Sequence, residues 1–307
     1  MNFREKTREF YIGTEVGTLA QLTQLDLSIF DRIYLGNPYC MDFKDNLLTN
    51  YKDLHEAISL IKKTNTISII SLIAMPANEQ LNCLDNLIKI GIEKKIGGFE
   101  VHSAGILYHL HRIEQCGQFE IVCGGFANVY TRRTARLFEE MSASLIVPNY
   151  ELPFEAIDSI ASFVRTPLEI LVHGKIPLGL SENCLLVERS DELKTCCPDS
   201  CLENTWLEFE KWSLLNFGKL TCSGRDVCLL PQIENLLKRG YRNFRISGLT
   251  EDSESLNKIG RVYKDSLLAG QDMGKNFDEK LEQLNKLSKY GFCNGYLFGK
   301  AGFEWVD

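Results

Sequence analysis

A chain of 307 residues with 44% hydrophobic and 24% charged side chains, eight prolines and no low-complexity run has the composition of a folded protein with a large core; wholesale disorder is excluded, and one or two domains stay open. A formal net charge of −7 supplies no basic footprint for sequence-independent binding to phosphate backbones, so no nucleic acid is expected as a partner. The opening MNFREKTREFYIG has no apolar h-region and the longest apolar stretch, TISIISLIAMP, is far too short for a bilayer, so no signal peptide, no transmembrane segment and a cytoplasmic location are expected.

Along the chain, short β-rich runs recur: RIYLG (32–36), TISIISLIA (66–74), GGFEV (97–101), FEIVCGG (119–125), ASLIVP (143–148), LEILVHG (168–174) and NFRISG (243–248). Helical spacing separates them. YTRRTARLFEEMSA is expected to place Ala135, Leu137, Phe138 and Met141 on one apolar face, and it runs directly into the strand SLIVP. DVCLLPQIENLLKRGYRNFRISG places Leu230, Ile233, Leu236 and Leu237 on one stripe and closes at Gly240 before the next strand.

About seven or eight such units in this length predict an α/β fold of the (β/α)8 TIM-like barrel type. A doubly wound dinucleotide sheet is disfavoured because no G-x-G-x-x-G follows the first strand. The barrel is read as a single domain over 1–307. A charged, cysteine-rich insertion at about 184–219 interrupts the rhythm on the C-terminal rim, and a tail at about 273–307 packs a helix outside the barrel.

In such barrels the chemistry gathers where strands end. Cys40 lies four residues past RIYLG and Cys184 ten past VHG, so both fall on that rim. Glu100, Asn128 and Arg245 sit at or just after strand ends and His173 ends a strand; each is a candidate for the barrel mouth, with loop anchoring as the competing role. An arginine there would suit an anionic ligand. His102, His109 and His111 follow GGFEV, and the last two fall on a helix that turns them toward solvent.

The stretch CLLVERSDELKTCCPDSC concentrates the thiols as C-x11-C-C-x3-C. Eleven cysteines, an odd number, in a reducing compartment argue against a disulfide framework. Zinc would take two short knuckles, and only Cys197 with Cys201 makes one. A 4Fe–4S cluster tolerates irregular spacing, and Cys40, Cys184, Cys196, Cys197 and Cys201 compete for its four positions. A purely structural role fits poorly with neighbours such as Lys194, Thr195, Pro198, Asp199 and Ser200. Cys83, Cys116, Cys123, Cys222, Cys228 and Cys293 have no partners at ligand spacing and are expected to be structural.

LEILVHGKIPLGLSENCLL resembles the signature region of the collagenase-like peptidase family, family thirty-two of the unassigned type, with Asn183 where the family has Arg and Pro177 where an extra Cys is often found. GKIPLGLSENC resembles more closely the UbiV-like branch, whose members take part in oxygen-independent ubiquinone hydroxylation. RIYLGNPYC, GGFANVYTRRTARLFEEMSASLIVPNYELP, RISG and CNGY extend the likeness over nearly the whole chain. The resemblance implies a 4Fe–4S cluster held by Cys40, Cys184, Cys197 and Cys201, with Cys196 a neighbour. It implies a homologous iron–sulfur barrel protein as heterodimer partner, a quinone precursor as substrate and prephenate as a carboxylate-bearing oxygen donor that Arg245 could meet. Asp42 and Asp45 stand where family members often carry basic residues. Competing functions are a peptidase, an RNA-hydroxylating member of the family, and a non-catalytic cluster-bearing subunit. Against the peptidase, there is no G-x-S-x-G or H-E-x-x-H, and only His173 with Cys184 offers a sequence-local thiol and base.

Overall fold

The computed structural model describes residues 9–184, 205–270 and 277–306. Eight strands form a closed parallel barrel: β1 (Tyr11–Val16), β2 (Arg32–Leu35), β3 (Ile67–Ser71), β4 (Gly98–Val101), β5 (Glu120–Cys123), β6 (Leu145–Ile146), β7 (Glu169–Leu180) and β11 (Asn243–Ile246). Parallel pairing runs from β1 to β6 in order, while β7 pairs with β11 and β11 with β1. The Ile146↔Leu168 bridge joins β6 to β7 and closes the ring.

Helices cover the outside for the reason their spacing gives. In α2 (Tyr51–Ile61), Leu54, Ala57, Ile58 and Ile61 fall on one face and are all buried, and the Asn50 side chain caps the first turn by accepting from the Asp53 N–H. In α5 (Arg132–Glu140), Ala135 and Phe138 are buried as expected. Leu137 is half exposed at 50% and does not share their face, because it lies two residues from Ala135, most of half a turn away. In α7 (Ile233–Lys238), Ile233 and Leu236 enter the core with Leu230 ahead of them, Leu237 packs partly against it, and Gly240 follows with φ +92°.

Two features depart from the strand reading. The segment YIGTEV, absent from the strands expected from the sequence, is the strand β1 that completes the ring. The run LEILVHG does not stop at Gly174: there φ is +103°, a Cβ would approach the Ser247 Cβ to 2.8 Å, and β7 continues out of the barrel to Leu180. Beyond the ring β7 pairs antiparallel with β10 (Leu220–Cys228), which pairs with β9 (Ser213–Phe217) and that with β8 (Thr205–Glu208). The sheet arm thus occupies 205–228, between the seventh and eighth barrel strands. After α8 (Ser253–Ala269), helix α9 (Phe277–Asn285) buries Leu284, and β12 (Phe292–Cys293) adds a parallel edge to β10.

Candidate functional site

The rim loop after β2 carries Cys40, 8% exposed, and folds around one amide side chain, that of Asn46. Asn46 donates through Nδ2 to the carbonyls of Asn37 and Cys40, both at 3.0 Å. Its Oδ1 accepts from the N–H groups of Asn37 at 3.0 Å and Leu48 at 3.1 Å. The Asn37 side chain in turn accepts from the Tyr39 N–H, and the Pro38 carbonyl accepts from Ala74 on the neighbouring β3 loop. Tyr39, Cys40, Phe43 and Ala74 pack with Leu215, Phe217, Leu220 and Cys222 of the arm, and Leu180 at the end of β7 lies against this cluster. The chain therefore leaves β7 beside the Cys40 loop, with the Ser181 N–H donating to Lys219, and reaches Cys184 four residues on, half-buried. Cys196, Cys197 and Cys201 lie outside the described residues.

Below this rim the barrel interior holds a charged cluster beside the apolar Ile69, Val122 and Leu145. Arg245 on β11 is 1% exposed; its Nε donates to Glu169 on β7 at 2.7 Å and its Nη1 to Glu100 on β4 at 2.5 Å, with Glu15 on β1 at 3.4 Å. The guanidinium lies 3.8 Å from the ring centroid of Tyr34 on β2, whose hydroxyl donates to Glu169 at 2.8 Å. Ser71 on β3 donates to Glu100, and the Gly248 N–H donates to Glu15. Burial works against the charge on Glu100, but Arg245, His102 and the Ser71 hydroxyl overcome it and hold this carboxyl well below the usual range. Glu15 goes the other way, raised by burial and by Glu100 despite Arg245. Two of the carboxyls around this guanidinium are thus displaced in opposite directions.

Of the residues singled out from sequence, Glu100 and Arg245 are brought together, but facing each other inside the barrel. Arg245 offers no open bidentate face to an anion, because its donors are already directed at protein carboxylates. Asn128 is exposed, sits at φ +55° after a short turn and accepts weakly from Asn149 at 3.4 Å. His173 is buried on β7, edge-on to Tyr263 and Phe292. Tyr263 gives its hydroxyl proton to the Val172 carbonyl, so the His173 Nδ1, 3.3 Å from that oxygen, is the donor. Burial pushes the His173 pKa down to about 4, which keeps the ring neutral.

Several groups were given no role by the sequence reading, His102 among them although its place after GGFEV was in view. His102 is buried over the mouth between Tyr39 and Phe126, with its Nε2 3.5 Å from Glu100. Glu15 and Glu169 complete the Arg245 cluster; Glu15 was hidden because its strand had not been recognised. Lys175 and Asp226 pair at 2.8 Å at the base of the arm, and nearby Glu251 is pushed up to about 8 by burial, with Asp226 adding to the shift. A cleft of about 610 Å³ opens on the rim between the β3 loop and α4 (Ala104–His111), walled by Met75, Leu81, Leu84 and Ile106 and reached by Glu182, two residues before Cys184. Tyr39, which directly precedes Cys40, also had a signal in view.

The family model described as Peptidase family U32 matches residues 17–307. The tRNA hydroxylation protein P of Escherichia coli (strain K12) is 21% identical over 92% of this chain and 73% of its own length. The 23S rRNA 5-hydroxycytidine C2501 synthase of the same strain is 20% identical over 77% of this chain, which spans only 36% of that protein. A collagenase of Porphyromonas gingivalis is 23% identical over 45% of this chain and 40% of its own length. Among solved structures, a U32 peptidase aligns with a TM-score of 0.45 at 13% identity over 57% of this chain and 74% of its own. An N-acetylneuraminate lyase from Mycoplasma synoviae aligns with a TM-score of 0.45 at 9% identity over 99% and 92%.

Proposed function

The chain belongs to peptidase family U32, and from that premise we propose that it is an iron–sulfur protein of oxygen-independent hydroxylation, acting with a homologous barrel protein on a quinone precursor. The observation that carries the reading is that Cys40 and the end of β7, from which the chain runs to Cys184, share one buried patch on the rim of the barrel. Cys40, Cys184, Cys197 and Cys201 would hold a 4Fe–4S cluster, and the two described members fit it, both lying on loops at one end of the barrel. When bound, the cluster supplies one-electron transfer. Two relatives named for hydroxylation support the reaction class.

Proteolysis finds little support in the thiols. A cysteine nucleophile needs a lowered pKa. Burial instead raises Cys222 to about 12, Cys228 to about 11 and Cys293 to about 12, and raises Cys123 as well. His173, the base considered for Cys184, is neutral and its Nδ1 proton is committed to Tyr263.

A second reading, hydroxylation of RNA, is favoured by the names of the same two relatives and opposed by the net charge of −7. Anaerobic purification followed by absorption spectra and iron and sulfide assay tests the cluster. Deletion of the chain in cells grown without oxygen, followed by parallel analysis of the quinone pool and of hydroxylated nucleosides in RNA, separates the substrates. Loss of quinone with intact nucleosides is expected; an intact quinone pool would overturn the leading reading, whatever the iron content. Co-expression with candidate barrel partners and size exclusion tests the heterodimer, and a chain that stays monomeric with each of them would remove that part.

A further inference from the structure

We infer that Asn46 is the positioning residue for Cys40, holding this thiol where a cluster ligand must stand; the inference rests on the proposed role of Cys40.

A ligand carried on a loop has to be fixed by something other than a strand ladder. In this loop the regular support ends at Leu35, and Gly36 turns the chain at φ +100°, where a Cβ would come within 2.3 Å of Leu48. From there to Leu48 the backbone is organised around the Asn46 amide, which is fully buried and uses all of its hydrogen-bonding capacity on main-chain groups. Two of the partners are carbonyls and two are N–H groups, so the orientation of the amide is fixed by its surroundings. An aspartate of the same shape could accept as before, but it would turn a second oxygen toward the carbonyls of Asn37 and Cys40. The bond from Nδ2 to Cys40 is the direct link, and the Cys40 carbonyl also accepts from the Phe43 N–H at 3.3 Å. The Asn46 carbonyl accepts from Asn50, whose side chain caps α2. The thiol loop is thereby tied through one residue, by its side chain to the chain leaving a barrel strand and by its carbonyl to the start of a packed helix.

The test uses the full chain, purified without oxygen, as wild type, Asn46→Asp, Asn50→Ala and Cys40→Ala. Asn50→Ala removes the cap of α2 in the same loop without touching Cys40, and so matches a general loss of stability. Asn46→Asp is expected to lower iron affinity by about 10-fold or more, the usual scale for losing a partner that orients a ligand. Asn50→Ala should load iron as wild type does. In the apo-protein, alkylation followed by mass spectrometry should find Cys40 reacting faster in Asn46→Asp while Cys123, wholly buried in the barrel core, stays protected. Equal iron affinity and equal Cys40 alkylation in Asn46→Asp and wild type would overturn the inference. So would exposure of Cys123 together with Cys40, which would make Asn46 a support of the whole barrel. Full iron loading in Cys40→Ala would instead remove the cluster reading, while the alkylation result still reports on the loop.

Discussion

Around Arg245 the buried polar groups are charged, come from strands spread around the barrel and pair side chain to side chain; around Cys40 they are neutral, come from one loop and pair side chain to backbone. The difference matters for where chemistry can happen. Glu100 and Arg245 look like active-site residues in the sequence, yet inside the barrel they and the carboxylates of Glu15 and Glu169 use one another as partners and present little to a ligand. Around Cys40 the buried Asn46 amide instead spends its hydrogen bonds on the backbone and fixes the course of the loop.

The sharpest way to break this contrast is Arg245→Met. It leaves three carboxyls without their shared cation, and removing one member of a buried ion cluster costs about 3–5 kcal/mol, so the variant should fold marginally at neutral pH in urea titrations. A loss below about 1 kcal/mol would mean that the interior does not depend on the pairing.

Next comes His173, the buried histidine outside that cluster. Its pKa is lowered from 6.5 to about 4 in the folded state, so its contribution is fully present above about pH 6.5 and is lost as pH falls through 4. His173→Gln should flatten this part of the acid-side slope, a difference on the order of 3 kcal/mol between pH 7 and pH 4. Urea midpoints measured across that window check it, and parallel slopes for wild type and variant would show that the ring is protonated freely in the fold.

A smaller effect is expected from Tyr34→Phe, which removes one hydrogen bond to Glu169 while Arg245 remains. The loss should be about 2 kcal/mol, since the acceptor is a carboxylate. Smallest in stability is Cys40→Ala, about 1 kcal/mol for one small buried side chain, yet it should abolish cluster loading. Cys196→Ala should keep most of the iron. If the interior variants lost the cluster while remaining folded and Cys40→Ala did not, the division between a structural interior and a chemical rim would be reversed.

Legibility in the sequence followed how local each signal is. The barrel strands β2 to β7 and β11 were readable because a fully buried parallel strand is a short apolar run wherever it occurs. β1 was not, because YIGTEV carries Thr14 and Glu15 in a segment that looks polar, and Glu15 meets its charge partner Arg245 some 230 positions away. The arm was missed for a similar reason: its partly exposed strands lack the apolar run, and their pairing with the end of β7 is a long-range contact. Leu137 was assigned to a buried face by hydrophobicity, whereas helical phase places it outward.

By itself the sequence determined the class of fold, the rim position of Cys40 and the thiol spacing that raised the question of a cluster, since strand periodicity and residue spacing are properties of short segments. Only the tertiary structure decided that Arg245 serves the barrel interior, that His173 stays neutral and that Asn46 organises the thiol loop. Each of these depends on which groups meet after the ring closes, and the proton affinity or hydrogen-bonding role of a side chain is set by the charges and dipoles that surround it once water has been excluded.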